Sequence, residues 1–208
     1  MPVRLAGVTE RAGGATHDPT VLPEGLPAPV DDGAADHLLG RSLPDVVLPS
    51  SIGEVALAEL AAERLVLYVY PRTGRPDEPI PQGWDELPGA RGCTPQSCGF
   101  RDRAAELAAF GARVAGVSTQ PLAEQREFAA RMRIPYPVVS DEHFVLAAAL
   151  GLPTFEFDGA RLYKRLALVA EQCTVVKVFY PVFPPDRNAV EVLEWLRRET
   201  EASSSSLR

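Results

Sequence analysis

Six consecutive apolar residues, Leu-Val-Leu-Tyr-Val-Tyr at positions 65–70, constrain the fold of this chain more than any other feature. The run is rich in β-branched and aromatic side chains, and it lacks the alternation of a strand with one solvated face. We therefore expect a strand that is buried on both faces at the centre of a sheet. The run is also far shorter than the roughly 18 apolar residues of a membrane-spanning helix.

The segments around this strand alternate between strand-like and helix-like patterns. A hairpin-like pair of short strands precedes it, at 43–48 and 55–57. The predicted strands after position 70 are 113–118, 137–140, 162–169 and 174–179, and the predicted helices are 94–110, 122–133, 144–150 and 187–200. Strands alternating with helices, followed by an antiparallel hairpin, predict an α/β fold in which helices cover both faces of a mixed central sheet.

Composition indicates one domain with irregular ends. Residues 1–36 mix Gly, Ala, Pro, Thr and Asp without periodicity, so we expect an N-terminal extension that is poorly ordered or wraps around the domain. The domain itself is expected to span 37–200. The serine-rich residues 201–208 are expected to form a disordered tail.

A long loop is expected at 72–91, directly after the central strand. Five prolines and four glycines lie between Pro71 and Gly92, both included, and no periodicity is present. Loops of this length inside a compact domain are usually functional or disordered. Trp84 is expected to anchor this loop to the core, in preference to contacting a substrate or a reductant.

Charge and cysteine content exclude several classes of protein. The chain has 21 basic and 28 acidic residues, and its net charge of −7 argues against a nucleic-acid-binding surface. Three cysteines are too few, and odd in number, for a secreted disulfide scaffold. We expect a soluble cytoplasmic protein, monomeric or homodimeric, without nucleic-acid or membrane partners.

Cys93 lies at the start of the helix predicted at 94–110, at the first strand-to-helix junction after the central strand. In open α/β sheets, ligands bind near the carboxyl ends of the strands. The N-terminus of a helix also stabilises a thiolate. Two interpretations follow: Cys93 is a nucleophile, or it is a small buried hydrophobic residue.

Cys98 follows five residues after Cys93 and favours the first interpretation. In a regular helix this spacing separates the Cα atoms by on the order of 8–9 Å, whereas a disulfide needs no more than about 7 Å. A modest unwinding of the first turn would join the pair, as in a redox switch where oxidised Cys93 condenses with Cys98. The spacing differs from the C-x-x-C of thioredoxin-type exchange sites.

His17, His37 and His143 are too scattered along the sequence to form a zinc site, so no metal or cofactor is expected.

Residues 92–102, Gly-Cys-Thr-Pro-Gln-Ser-Cys-Gly-Phe-Arg-Asp, resemble the active-site helix of one peroxiredoxin branch. This branch is called peroxiredoxin Q, or bacterioferritin comigratory protein. The resemblance extends to Leu43-Pro44-Asp45, Tyr70-Pro71, Gly116-Val117-Ser118, Ser140-Asp141, Tyr163-Lys164-Arg165 and Val176-Lys177-Val178-Phe179.

The resemblance implies a thioredoxin-like fold and a thiol peroxidase that reduces hydrogen peroxide and organic hydroperoxides. Cys93 is then the peroxidatic cysteine and Cys98 the resolving one, and a thioredoxin-like dithiol is the reductant. Arg165 is expected to sit over Cys93, to hold it as a thiolate and to stabilise charge on the breaking O–O bond. Gly92 and Pro71, which belong to the matching motifs, are expected to lie at the substrate.

The chain departs from the family pattern at Ala90. The family has a Thr or Ser three residues before the cysteine, and its hydroxyl helps to hold the peroxide. Pro71 also lies 22 residues before Cys93, much further than in the family. Three replacements remain open: the hydroxyl of Thr73, the hydroxyl of Thr94, or backbone N–H groups together with the arginine.

Two other functions remain open from the residues alone. The cysteine pair is also compatible with a protein disulfide oxidoreductase, or with a redox-sensing module whose long loop docks a partner. Cys173, in the predicted hairpin turn before 174–179, is expected to be a bystander, with a regulatory or intermolecular thiol as the alternative.

Overall fold

The computed structural model of the chain describes residues 18–206 and the side chains of 18–202. Residues 1–17 of the predicted extension and 207–208 of the predicted tail lie outside the described residues. The strands are β1 (Val47–Ser50), β2 (Gly53–Ala56), β3 (Arg64–Val69), β4 (Ala112–Ser118), β5 (Val138–Ser140), β6 (Thr154–Phe157), β7 (Ala160–Tyr163), β8 (Leu166–Glu171) and β9 (Thr174–Phe179). The helices are α1 (Leu57–Leu60), α2 (Cys93–Asp102), α3 (Ala104–Ala109), α4 (Leu122–Met132), α5 (Val145–Leu150) and α6 (Asn188–Ser206).

Strand β3 lies inside a seven-stranded sheet of order β2-β1-β5-β4-β3-β8-β9. It pairs in parallel with β4 and antiparallel with β8. Alternate residues of β3 enter two different cores: Leu65, Leu67 and Val69 enter one, and Val66 and Tyr68 enter the other. The predicted central strand, buried on both faces, is therefore confirmed.

Helices cover both faces of this sheet. On one face the core contains Phe100 of α2, Phe128 of α4 and Leu193 of α6. On the other face it contains Leu57 of α1 and Leu146 of α5. The predicted N-terminal hairpin is formed by β1 and β2, which pair antiparallel at one edge. The expected fold, a mixed sheet with helices on both sides, is confirmed.

The single strand predicted at 162–169 is in fact two strands. β7 ends at Tyr163 and β8 begins at Leu166, so Lys164 and Arg165 lie between them. β7 pairs with β6, a strand that sequence analysis missed, in a separate two-stranded sheet. The interruption takes Arg165 out of both ladders, and its side chain is only 4% exposed.

Two helices also differ from their predicted bounds. The helix predicted at 94–110 is divided into α2 and α3 at Arg103, whose N–H donates to the Phe100 carbonyl and tightens the end of α2. α6 continues to Ser206, so part of the predicted tail is helical, because Glu and Ala at 201–202 are good helix formers. No described helix is long and apolar enough to cross a bilayer.

The loop after β3 has no helix or strand between Pro71 and Gly92. Its Trp84 is buried and packs edge-on against Phe157, with ring centroids 5.0 Å apart. The Phe155 ring also lies near the indole, with ring centroids 6.3 Å apart. Trp84 therefore anchors the loop to the β6–β7 hairpin, in a small cluster separate from the two main cores, and not to the core as predicted.

The described part of the N-terminal extension runs across this loop. Pro29 packs against Gly89. The Asp32 carboxylate accepts hydrogen bonds from Lys164 and from Tyr180, the latter at 2.6 Å. These contacts bring the extension next to the segment that carries Arg165.

Candidate active site

Cys93 is the first residue of α2, and Gly92 explains why the helix begins there. Gly92 has a φ of 98° and a ψ of 21°, in the left-handed region that glycine adopts without strain. A Cβ atom at this position would lie 2.2 Å from Pro185 and 2.8 Å from Leu22. Cys93 is only 3% exposed and lies beside the free N–H groups of the first helical turn. The structure thus places Cys93 at a helix N-terminus, as expected, and buries it.

Arg165 reaches Cys93 from the gap between β7 and β8. Its Nη2 donates a hydrogen bond to Cys93 Sγ at 3.2 Å. Its Nη2 and Nε also donate to loop carbonyls, those of Ala90 and Arg91 at 3.0 Å and that of Gly89 at 3.2 Å. One guanidinium therefore holds both the sulfur and the end of the long loop.

The charge of Arg165 has no carboxylate partner among the described residues. Besides the sulfur and the loop carbonyls, its Nη1 donates to Gln96 Oε1. Asn188 Oδ1 accepts from Gln96 Nε2 at 2.9 Å, which orients this amide toward the arginine. A buried cation is costly unless an opposite charge compensates it. Cys93 Sγ is therefore in contact with a buried cation whose other described partners are neutral groups.

A cavity of about 50 Å³ opens at Cys93, which is room for roughly three to five water molecules. Gly92, Thr94 and Thr73 all line it. Thr73 is present because the loop folds back toward the helix. Gln120 Oε1 accepts hydrogen bonds from Thr73 N at 2.7 Å and from Thr73 Oγ1 at 3.1 Å. Both threonines that could supply a hydroxyl are therefore at the site.

Ala90 and Pro71 contribute through their backbones. The Ala90 carbonyl accepts from Arg165 and lies 3.7 Å from Cys93 Sγ. The Pro71 carbonyl accepts from Ser118 Oγ at 2.8 Å. Pro71 is not among the residues that line the cavity, so its contact fixes the start of the loop at the end of β3.

Cys98 lies further along α2, is half-buried and is a free thiol, as Cys93 is. Burial raises the pKa of the Cys98 thiol, an effect that Arg101 opposes and Asp102 reinforces. Because both cysteines lie in one regular helix, the intact helix keeps their sulfurs too far apart for a disulfide. In this structure α2 is therefore an intact, closed helix with Cys93 and Cys98 unpaired.

Several contacts hold α2 in this closed form. Tyr136 Oη donates to the Ser97 carbonyl at 3.0 Å, and Arg101 Nη1 donates to the Met132 carbonyl at 2.8 Å. Within the first turn, Ser97 Oγ donates to the Cys93 carbonyl at 2.9 Å. A disulfide between the cysteines requires the contacts around this turn to break.

The aromatic side chains beneath α2 support it from the sheet. Tyr68 of β3 stacks on Phe100 with ring centroids 4.6 Å apart and an interplanar angle of 10°. Gly116, its neighbour on β4, has no room for a side chain, since a Cβ would lie 2.4 Å from the Tyr68 ring. Burial raises the pKa of Tyr68 to about 12. Tyr68 is therefore a neutral packing residue at physiological pH.

Sequence analysis missed three residues of the site: Gln96, Gln120 and Tyr136. A signal existed for Gln96, which lies three residues after Cys93 and thus on the same side of the helix. No local pattern marks Gln120 or Tyr136, because their partners Thr73 and Ser97 are 47 and 39 residues away.

Cys173 lies apart from this site. It occupies the turn between β8 and β9 with a φ of 62°, and its Sγ is 3.4 Å from the Ala58 carbonyl. It packs against the core on the face of the sheet opposite to Cys93. This position agrees with the expected bystander.

The family model described as Redoxin matches residues 38–193. Peroxiredoxin Q, chloroplastic, of Arabidopsis thaliana is 32% identical over 160 residues, which cover 76% of this chain and 66% of that protein. Peroxiredoxin bcp1 of Schizosaccharomyces pombe is 28% identical over 159 residues, which cover 73% of this chain and 71% of that protein. The chain thus spans about two thirds of the length of these relatives.

A solved structure gives the same result. The crystal structure of peroxidoxin BcpB from Mycobacterium tuberculosis superposes with a TM-score of 0.63 at 30% identity and covers 77% of this chain and 96% of that one. The predicted resemblance and the thioredoxin-like fold are confirmed, and the relatives support the predicted peroxiredoxin class with its thiol-peroxidase chemistry. The chain therefore belongs to the Redoxin family, and its relatives there are peroxiredoxins of the Q and bcp types.

Proposed function

We propose that this peroxiredoxin reduces hydroperoxides through Cys93. The Cys93 thiolate attacks one peroxide oxygen, so that an S–O bond forms while the O–O bond breaks. The sulfur is oxidised to a sulfenic acid, and the other oxygen leaves with a proton as water or an alcohol. The cycle needs no metal or bound cofactor.

The observation that carries this proposal is the contact between Arg165 Nη2 and Cys93 Sγ at 3.2 Å. The buried guanidinium stabilises the attacking thiolate. The same cation also stabilises the negative charge that moves onto the leaving oxygen as the O–O bond breaks. The structural-hydrophobe interpretation of Cys93 does not account for a buried arginine without a carboxylate partner among the described residues.

Cys98 is proposed as the resolving thiol. Its thiolate attacks the sulfenic sulfur, an S–S bond forms, and hydroxide leaves and is protonated to water. This step requires the first turn of α2 to open. A thioredoxin-like dithiol then reduces the disulfide by two thiol–disulfide exchanges and becomes oxidised itself.

The substrate is proposed to bind between the N-terminus of α2 and the long loop. Thr94, Thr73 and Gly92 line the cavity at Cys93, and their hydroxyl and backbone groups are proposed to supply hydrogen bonds to the peroxide. Pro71 supports this cavity from the end of β3 through its carbonyl contact with Ser118. Hydrogen peroxide and organic hydroperoxides are the proposed substrates.

The experiment measures hydroperoxide-dependent oxidation of a dithiol reductant by the wild type and three variants. Cys93→Ser is expected to abolish turnover. Cys98→Ser is expected to complete one oxidation of Cys93 and then to stop or recycle slowly. Cys173→Ser, the matched control, is expected to behave as the wild type. Steady-state activity that survives in Cys93→Ser would contradict the proposal.

The same proteins separate the two other candidate functions. A disulfide oxidoreductase reacts with hydrogen peroxide as slowly as a free cysteine does, yet exchanges rapidly with protein disulfides. A redox-sensing module loses its thiols to peroxide but does not turn over with a dithiol. Rapid oxidation followed by steady turnover is the result expected here.

The remaining features of the organisation are also proposals. A domain at 37–200 is supported by the family match to 38–193, and a wrapping extension is supported by the contacts of Pro29 and Asp32. Three free cysteines and the need for a dithiol reductant favour a reducing compartment, and we propose the cytoplasm. A monomer or homodimer without nucleic-acid partners remains the prediction from sequence.

A further inference from the structure

Three arginines of the long loop line the cavity at Cys93, and two of them have carboxylate partners. Arg91 Nε lies 3.1 Å from Asp85 Oδ1. Arg75 lies 3.8 Å from Glu78 and 3.7 Å from Glu127. The charges of these two arginines are therefore compensated within the protein.

Arg72, the third arginine, forms no ion pair with any described residue. Its guanidinium instead lies over Trp84, 5.9 Å from the ring centroid. This cation–π contact orients the guanidinium without neutralising its charge. Arg72 is thus a partly buried cation without an ion-pair partner among the described residues, and it lines the same cavity as Cys93.

The backbone around Arg72 is held firmly on both sides. The Pro71 carbonyl accepts from Ser118 Oγ at 2.8 Å. Thr73 N donates to Gln120 Oε1 at 2.7 Å, and Gln120 Nε2 donates to the Thr73 carbonyl at 3.2 Å. Arg72 therefore projects from a fixed point at the end of β3, which distinguishes it from a free surface side chain.

The described acidic residues near Arg72 form their contacts with other side chains and no ion pair with Arg72. Glu78 borders the same cavity but pairs with Arg75. On its other side Arg72 borders a second cavity together with Glu124 and Glu127. Glu124 accepts from Gln120 Nε2 at 2.5 Å, and Glu127 accepts from Arg131 Nε at 2.8 Å.

The cavity wall also contains apolar side chains. Val21 of the N-terminal extension, Ile80 and Trp84 all line it. Arg72 is partly buried and one side of its guanidinium is covered by the Trp84 ring, which reduces solvent screening of its interaction with an anionic group. A neutral hydroperoxide makes no use of this charge.

Resting on the proposed function, we propose that Arg72 is a specificity-determining residue that binds an anionic group on the substrate. The class is a short organic hydroperoxide with a carboxylate, whose peroxide group faces Cys93 while its carboxylate faces Arg72. The guanidinium can donate two parallel hydrogen bonds to a carboxylate. Arg72 takes no part in the bond changes, which remain those of Cys93 and the peroxide.

The test compares 3-hydroperoxy-3-methylbutanoate with its methyl ester, which has the same peroxide carbon but no charge. The rate of Cys93 oxidation by each probe is measured by stopped flow, and hydrogen peroxide serves as a third substrate. The wild type is expected to prefer the acid over the ester by about tenfold or more in kcat/KM, mainly through KM. Added salt is expected to reduce this ratio.

Arg72→Gln is expected to bring the ratio of acid to ester close to one, and Arg72→Lys to retain part of it. Arg126→Gln, which removes a charge from the exposed face of α4, is the matched control and is expected to keep the wild-type ratio. A wild type without preference, or an Arg72→Gln variant in which all three substrates slow equally, would overturn the inference. If hydrogen peroxide does not oxidise Cys93 in the wild type, the proposed function fails instead.

Discussion

The guanidinium of Arg165 lies 3.2 Å from Cys93 Sγ and simultaneously holds the loop carbonyls just before it. The same residue thus orders the chain leading into α2 and supplies the charge beside the sulfur. Thiolate stabilisation and loop position are coupled in one side chain. A change at Arg165 therefore affects reactivity and structure together, and the two effects have to be measured separately.

Arg165→Gln is expected to slow oxidation of Cys93 by hydrogen peroxide about 100-fold or more, because the variant lacks the charge that stabilises the thiolate and the leaving oxygen. Arg165→Lys keeps a charge but cannot span the sulfur and the carbonyls, so an intermediate rate is expected. Stopped-flow oxidation gives the rates, and thermal unfolding reports the structural part. Equal rates in Arg165→Gln and the wild type would exclude the assigned role.

The resolving step is expected to accelerate with rising pH. Burial raises the pKa of the Cys98 thiol in closed α2, and only the thiolate attacks the sulfenic acid. Closed α2 also binds this proton more tightly than the opened helix does. The contribution of this proton to the stability of closed α2 is therefore fully present below the ordinary cysteine pKa. It is lost as the pH rises through the raised pKa of Cys98. Both effects act in the same direction.

Stopped-flow measurements between about pH 6 and pH 10 test this expectation, since the range brackets the ordinary cysteine pKa of about 8.5. Disulfide formation after a single addition of hydrogen peroxide should become faster up to and beyond that pKa. Cys98→Ser should lack this phase but retain the oxidation of Cys93. A resolving phase whose rate does not change with pH would contradict the buried-thiol explanation.

Gly92→Ala is expected to impair the site more than an equivalent substitution elsewhere in the loop. The new Cβ would lie 2.2 Å from Pro185, and the φ of 98° adds backbone strain. The expected loss of stability is about 1–3 kcal/mol, with slower oxidation of Cys93 because the start of α2 shifts. Gly83→Ala is the matched control, because Gly83 has a φ of 80° but no neighbour within 4 Å of the Cβ position. Equal losses of stability in both variants would show that backbone strain, and not the contact with Pro185, determines the effect.

Much of this site could be predicted from local sequence. The continuous apolar run in β3 predicts a buried strand. The five-residue spacing of Cys93 and Cys98 predicts the separation of the two residues on any regular helix. The role of Arg165 came only from a resemblance. Arg165 is buried because the chain is interrupted between β7 and β8. Apolar residues flank this interruption on both sides, so the sequence predicts one continuous strand across it.

The consequence of Ala90 could not be predicted in the same way. Whether another hydroxyl replaces the missing one depends on how the loop folds back. That path is determined by Gln120, which binds Thr73, and by Trp84, which packs on Phe157. These are contacts between residues far apart in the chain, and neither partner carries a local pattern that identifies the other.

Trp84→Ala is expected to loosen the loop while leaving the domain folded. Trp84, Ala90 and Leu162 form a small cluster of buried residues separate from the two main cores. Replacing a buried tryptophan with alanine destabilises a folded structure by about 3–5 kcal/mol. We expect this loss of stability to be confined to the loop. Amide hydrogen exchange should accelerate in the loop turns, such as that from Leu87 N–H to the Trp84 carbonyl. The midpoint of thermal unfolding should change little.

Trp84→Phe should restore most of this protection, since an aromatic ring can still pack against Phe155 and Phe157. Oxidation of Cys93 should slow in Trp84→Ala, because Ala90 and its carbonyl contact with Arg165 belong to the same cluster. Trp195→Phe, in α6, is the control for loss of an indole elsewhere. The opposite result would be that Trp84→Ala unfolds cooperatively at a much lower temperature, while amide exchange in the loop is unchanged below that temperature. It would show that the cluster is part of the main core. Local opening with slower oxidation would show instead that the loop and the reactive cysteine are held by the same contacts.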